Sequence, residues 1–160
     1  MEQSVEYRQK VIADYKEKSL PLLKYLPWFE SNQGRGVSSM YDSDEMAGQT
    51  LSFPVYNSTV MSFVREAAKS PLMNKNYRYI YTRHHISSHE DEAKLIKQCD
   101  WKTWDILMGI LSYYVLGGRT KGTLWNEAVR SDIFYLVLRR MKEIIEFYDK
   151  PFEVQRNSEM

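Results

Sequence analysis

Two apolar segments of helical period, lying between Trp101 and Tyr148 and hinged by Gly117-Gly118-Arg119-Thr120-Lys121-Gly122-Thr123, constrain this chain more than anything else in it. In the first, Trp101, Trp104, Leu107, Met108, Leu111 and Val115 define an inner stripe. Ile106, Ile110 and Leu116 widen that stripe almost to a full circle, which places the helix at the centre of a bundle. In the second, Phe134, Val137, Leu138, Met141, Ile145 and Tyr148 share one face. Its outer side carries the i,i+4 pairs Arg139 with Glu143 and Lys142 with Glu146. Between the two, Thr123 stands where it can cap a short helix containing Leu124, Trp125, Ala128 and Val129. The pattern predicts a mostly α, single-domain helical bundle of five to seven helices, with room for at most one small two-stranded ribbon.

The rest of the chain reads as shorter pieces. Ser4 to Lys18 is helical, with a thin stripe of Val5, Val11, Ile12 and Tyr15. Ser19 then suits an N-cap and Pro21 the first turn of a second helix through Leu22, Leu23 and Leu26, which Pro27 bends or ends. The polar run Ser31 to Gly48 lacks periodicity and reads as a long loop. Leu51 to Tyr56 is extended, limited by Pro54 to an edge position. Asn57 or Ser58 caps a helix bearing Val60, Met61, Phe63, Val64, Ala67 and Ala68. Tyr77, Tyr79 and Tyr81 alternate with polar or aliphatic neighbours, predicting a second extended piece that pairs with the first. Glu90, Asp91 and Glu92 favour a helix start that continues through Ala93, Leu95 and Ile96, and Asp100 caps the next helix. Residues 1–150 form the domain and 151–160 a flexible tail.

At 160 residues the chain is long enough for one sizeable core. Its 22 basic and 21 acidic side chains nearly cancel, so no broad field steers it onto a polyanion or an anionic membrane. One cysteine, Cys99, cannot form an intramolecular disulfide, and the first residues lack the apolar core of a signal peptide. A cytoplasmic location is the expectation. The apolar tract Ile106 to Leu116 falls well short of the ~20 residues of a membrane-spanning helix.

The order of several parts looks familiar. Leu26-Pro27-Trp28-Phe29-Glu30, then Phe53-Pro54-Val55-Tyr56 before a helix, then a Leu-rich helix running into Gly118-Arg119-Thr120-Lys121-Gly122, resembles a family of small bacterial proteins classed as a domain of unknown function. The resemblance runs roughly from Leu20 to Met141 and implies a mostly helical bacterial protein, with no activity to transfer. The turn departs from that family's pattern in carrying Thr120 after Arg119 and Gly122 only three positions beyond it.

No catalytic signature of high specificity is present, and three constellations stand out instead. In the turn, Gly118 and Gly122 permit close backbone approach, the helix that follows Thr123 presents unpaired N–H groups, and Arg119 and Lys121 supply charge, a combination that can hold a phosphate or carboxylate. The competing reading is an ordinary helix-helix connection. His84, His85 and His89, with Glu92, can supply divalent-metal ligands if His85 and His89 share a helical face; a polar loop before an acidic helix start explains the same residues. Tyr77, Arg78, Tyr79, Tyr81 and Arg83 interleave rings and cations as single-strand nucleic-acid platforms do, although a tyrosine stripe on a strand more commonly packs on helices.

These features favour a non-enzymatic binding or regulatory module that takes a small anionic ligand at the turn or an unknown protein partner. The N-terminal helix or exposed aromatics offer a route to a homo-oligomer. No cofactor is evident beyond a divalent metal at the histidines. The alternatives are a metal-dependent hydrolase using His84, His85 and His89, and a single-stranded nucleic-acid binder using Tyr77 to Arg83; neither requires a membrane.

Overall fold

Eight α-helices and a two-stranded ribbon make up the described part of the chain. The computed structural model describes residues 2–33, 38–42, 52–56, 58–121 and 123–149. In order these are α1 (Glu2–Leu23), α2 (Leu26–Ser31), β1 (Ser38–Asp42), β2 (Ser52–Tyr56), α3 (Ser58–Ala68), α4 (Tyr77–Arg83), α5 (His89–Gln98), a 3-10 turn (Trp101–Thr103), α6 (Trp104–Gly117), α7 (Leu124–Arg130) and α8 (Ile133–Asp149). The mostly helical bundle expected from the apolar periodicity is what forms. The expected tail at 151–160, the cap at Asn57, Gly122 of the turn and most of the Ser31–Gly48 loop lie outside the described residues.

The two strongly apolar segments become the centre. α6 packs against α3, α4, α5, α7 and α8, and α8 against α1, α2, α5, α6 and α7. Leu107, Ile110, Leu111, Val115, Phe134, Val137, Leu138 and Met141 are all fully buried. Rings join the layers: Phe134 on α8 lies 5.7 Å from Phe29 and 5.0 Å from Phe63, so α2 and α3 close over it. At the other end Trp104 stacks on Tyr15 of α1 at 4.2 Å, nearly parallel. Asp100 caps the entry to α6 as expected, accepting from the amides of Lys102 and Thr103 in a reciprocal capping box. No helix among the described residues is long and apolar enough to cross a membrane.

Several local expectations are overturned by packing. Ser19 is not a cap: it is buried inside α1 near its C-terminal end, its hydroxyl donating to the Tyr15 carbonyl at 2.6 Å. Ile12, Tyr15, Ser19 and Leu22 form one stripe, and that stripe carries the helix through Pro21 to its end at Leu23. Pro21 costs that helix one hydrogen bond, the one its amide would have donated to the Glu17 carbonyl, and the helix ends two residues later. Pro27 likewise opens α2 rather than ending a helix, a position where no amide donor is needed. Tyr77–Arg83 is a helix, not a strand, and it is the addition that takes the count past seven. Its Ile80 is buried directly against Gly109 of α6, where a Cβ would sit 2.9 Å from the Ile80 side chain. That close helix-helix contact outweighs the β preference of the tyrosines. The ribbon does exist, but β2 pairs antiparallel with β1 from within the long loop, Ser38 opposite Tyr56 and Asp42 opposite Ser52.

One polar tie between the turn that follows α1 and α3 makes a pH-dependent contribution. The Tyr25 hydroxyl donates to Glu66 at 2.7 Å, and Lys24 reaches the other carboxylate oxygen at 3.1 Å. The Tyr25 hydrogen bond holds the Glu66 carboxyl below its ordinary 4.5, while burial and then that bond push Tyr25 up to about 12. A depressed carboxyl stabilises the fold above its unfolded value, so this contribution disappears as pH falls through and below 4.5. A raised phenol stabilises below its unfolded value, so that contribution disappears as pH climbs from 10.0 towards 12. Tyr25→Phe is therefore expected to lower the urea midpoint near neutral pH and to flatten both limbs of its pH profile; parallel profiles would contradict the coupling.

Candidate functional site: a tyrosine, histidine and glutamate cleft

Four helices converge on a buried carboxylate. Ser88 caps α5 with an extended backbone, its hydroxyl accepting from the Asp91 amide at 3.1 Å. Asp91 in turn accepts from both the amide and the hydroxyl of Ser87, at 3.0 Å each. These bonds fix the first turn of α5, so His89 and Glu92 emerge one turn apart on the face towards α4 and α6. Glu92 is only 2% exposed, which demands donors for its charge.

It has three. Tyr81 of α4 donates to Glu92 Oε2. Tyr114 of α6 donates to Oε1 at 2.8 Å. His89 Nδ1 lies 2.7 Å from the same oxygen and 3.1 Å from the Tyr114 hydroxyl. Burial, followed by the charge of Glu92, raises the pKa of both Tyr81 and Tyr114, so both phenols stay protonated donors. The other ring nitrogen of His89, Nε2, stands 2.8 Å from Glu127 Oε1 on α7. One imidazole thus joins two carboxylates on different helices. Only the imidazolium can donate to both, since the neutral ring has a single N–H.

The cluster lines an open cleft of about 340 Å³, with Tyr81, Tyr113 and Ile86 as its less polar walls. Tyr81 and Tyr113 stack at 4.4 Å, and Tyr77 meets Tyr113 edge-on at 5.8 Å. The cleft's hydroxyls at Ser87 and Ser88 are already engaged with Asp91. The groups facing a guest are therefore two carboxylates, an exchangeable imidazole and phenol rings, a set suited to a positively charged or donor-rich molecule.

The metal set read from the sequence does not assemble. His84 is the C-cap of α4 and His85 follows in a turn with φ of 53°, so His85 and His89 never share a helix. His89 and Glu92 do meet, but Glu92 and Glu127 approach opposite ring nitrogens and cannot reach an ion at one of them together. Among the described residues no group of three or more His, Cys, Asp or Glu side chains is placed to hold a metal ion. The tyrosine platform is also reorganised: on a helix Tyr77 and Tyr81 turn inward to Tyr113, while Tyr79 points away and is 60% exposed, with Arg78 and Arg83 exposed beside it. The three rings offer no common stacking face.

In the turn, Arg119 and Lys121 are exposed, but the amides of Arg119, Thr120 and Lys121 donate back to the carbonyls of Leu116 and Gly117. Thr123 precedes α7 without a side-chain cap bond. Gly118 serves packing, since a Cβ there would lie 2.1 Å from the Trp125 indole nitrogen, which donates to the Val115 carbonyl. Cys99 is buried and its thiol pushed up to about 11 by that burial, leaving a poor nucleophile.

Sequence reasoning found His89 and Glu92 but missed Tyr113, Tyr114 and Glu127. A signal was present in the adjacent tyrosines, which put phenolic hydroxyls into an otherwise apolar central helix where each needs a partner. No family model, curated protein or solved structure matches this chain.

Proposed function

We propose that this protein is a non-enzymatic binding module whose ligand, a small molecule carrying a cationic nitrogen, enters the cleft bounded by α4, α5, α6 and α7. The observation that carries this reading is the bridge made by His89 between Glu92 and Glu127, with both ring nitrogens within 2.8 Å of a carboxylate oxygen. His89 occupies the position between the two carboxylates that a cationic guest would take. Its side chain is 43% exposed, so a rotation can take it into solvent and free the space between the carboxylates. An ammonium placed there keeps both charges compensated and lies against the rings of Tyr81 and Tyr113. Occupancy would link α5 to α7 in place of the imidazole, which gives the module a means of signalling that it is loaded.

The test is thermal unfolding against a primary alkylamine, a diamine, choline and inorganic phosphate. A cationic nitrogen supplied at 100 times its dissociation constant is expected to stabilise the protein by about 2.7 kcal/mol. Glu127→Gln should abolish that response, and His89→Ala should strengthen it, because the competing internal side chain is gone. A response to phosphate alone, lost in Arg119→Ala with Lys121→Ala, would move the ligand site to the turn. A flat response to every amine, or a weaker one in His89→Ala, would overturn the proposal.

A further inference from the structure

On the opposite side of α5 a second groove runs between that helix and α8, with a volume of about 570 Å³. Its floor is apolar, made by Ala93, Ile96 and Leu136, and its rims are basic. Lys94 and Lys97 stand exposed one turn apart on α5. Across from them Arg139 and Arg140 are held in place by the fold. Arg140 donates through Nε and Nη2 to the Cys99 carbonyl at 2.8 and 2.6 Å, satisfying the C-terminal end of α5. Arg139 donates to the Tyr135 hydroxyl at 2.8 Å. The two lining carboxylates are Glu90, at one end, and Glu143, which sits 3.7 Å from Arg140 and 4.0 Å from Arg139.

We propose that this groove docks an acidic amphipathic helix of a partner protein. Four cations against two carboxylates make a local positive patch on a chain whose formal net charge is only +1. The groove spans about two helical turns along each wall, from Glu90 to Lys97 and from Leu136 to Glu143. That length fits apolar anchors at i, i+3 or i+4, and i+7 of an incoming helix. The anchors rest on Ala93, Ile96 and Leu136, while flanking carboxylates meet Lys94, Lys97 and Arg139. A small free anion would leave the apolar floor uncovered, and a nucleic-acid backbone would meet Glu143 and Glu90 among the cations. Because Arg139 and Arg140 are already ordered, binding loses less side-chain entropy than it would with free arginines.

The experiment uses the full chain and a fluorescent peptide of about four helical turns, with leucines at the anchor spacing and glutamates between them. The expected result is anisotropy-detected binding that weakens with salt and falls roughly tenfold or more in Lys94→Glu with Lys97→Glu. An unchanged thermal midpoint for that variant separates lost docking from lost fold. A peptide with serines in place of the leucines, and one with lysines in place of the glutamates, should both lose binding. Failure of the acidic peptide to bind, indifference to the charge reversal, equal binding of the serine peptide, or binding of a single-stranded oligonucleotide at the same rims would each overturn the proposal.

Discussion

Glu92→Ala is expected to lower stability by about 3–5 kcal/mol, the range seen when one partner of a buried charged network is removed. The carboxylate is 2% exposed and accepts from Tyr81, Tyr114 and His89. Deleting it leaves the buried Tyr114 phenol and the partly buried Tyr81 phenol without their acceptor, and a buried orphan of this kind costs on the order of 1–3 kcal/mol. For a domain whose total stability is about 5–15 kcal/mol, the variant sits near the edge of folding. Glu92→Gln should lose less, since it keeps the volume and one acceptor oxygen, yet its amide presents a donor where only donors face it. Urea denaturation of both variants checks the order. A Glu92→Ala loss below about 1 kcal/mol would mean that the phenols find water instead and that the network contributes little. Tyr81→Phe combined with Glu92→Gln should be non-additive, because both act on one hydrogen-bonded cluster.

Phe134→Ala is the other large effect, with about 3–5 kcal/mol lost for an aromatic truncated in a closed core. Phe134 is fully buried where α8 meets α2, α3 and α6, with Phe29, Phe63 and Tyr114 around its ring. Three elements lose their common contact at once, and rigid helices on every side leave little room for collapse. At roughly 2–4 °C per kcal/mol for a chain of this size, the thermal midpoint should fall well outside experimental scatter. Phe134→Leu, which retains most of the volume, should cost markedly less. The truncation also reaches the cleft. Tyr114 rests on Phe134 at 6.3 Å while its hydroxyl holds Glu92, so Phe134→Ala should weaken any amine response along with stability. Loss of stability with an undiminished amine response would uncouple the core from the site.

Which helices lie at the centre, and where several of them begin, follows from the chain alone. The all-round apolar character of Ile106 to Leu116 and the single apolar face of Phe134 to Tyr148 are periodic properties, and burying them leaves few arrangements. Asp100 caps its helix for a similarly local reason, since its side chain bonds amides two and three residues on. Tyr77–Arg83 was not legible in this way: alternating tyrosines suit a strand, whereas the helix sets Ile80 against Gly109 and Tyr77 and Tyr81 against Tyr113 on a distant helix. The same holds for Ser19 and Pro21, whose helix-breaking signals yield to a buried stripe along α1.

The candidate site divides along the same line. His89 and Glu92 are three residues apart on one helix, and both are among the metal-ligand candidates that the sequence offers. Tyr81 and Tyr114 join them from two other helices, 11 and 22 residues from Glu92, and Glu127 from a third, 38 residues from His89. Short-range pattern records which residues want burial and which want a partner. The choice of partner is made by helices that pack for reasons of shape and apolar area, and that choice exists only in the folded chain.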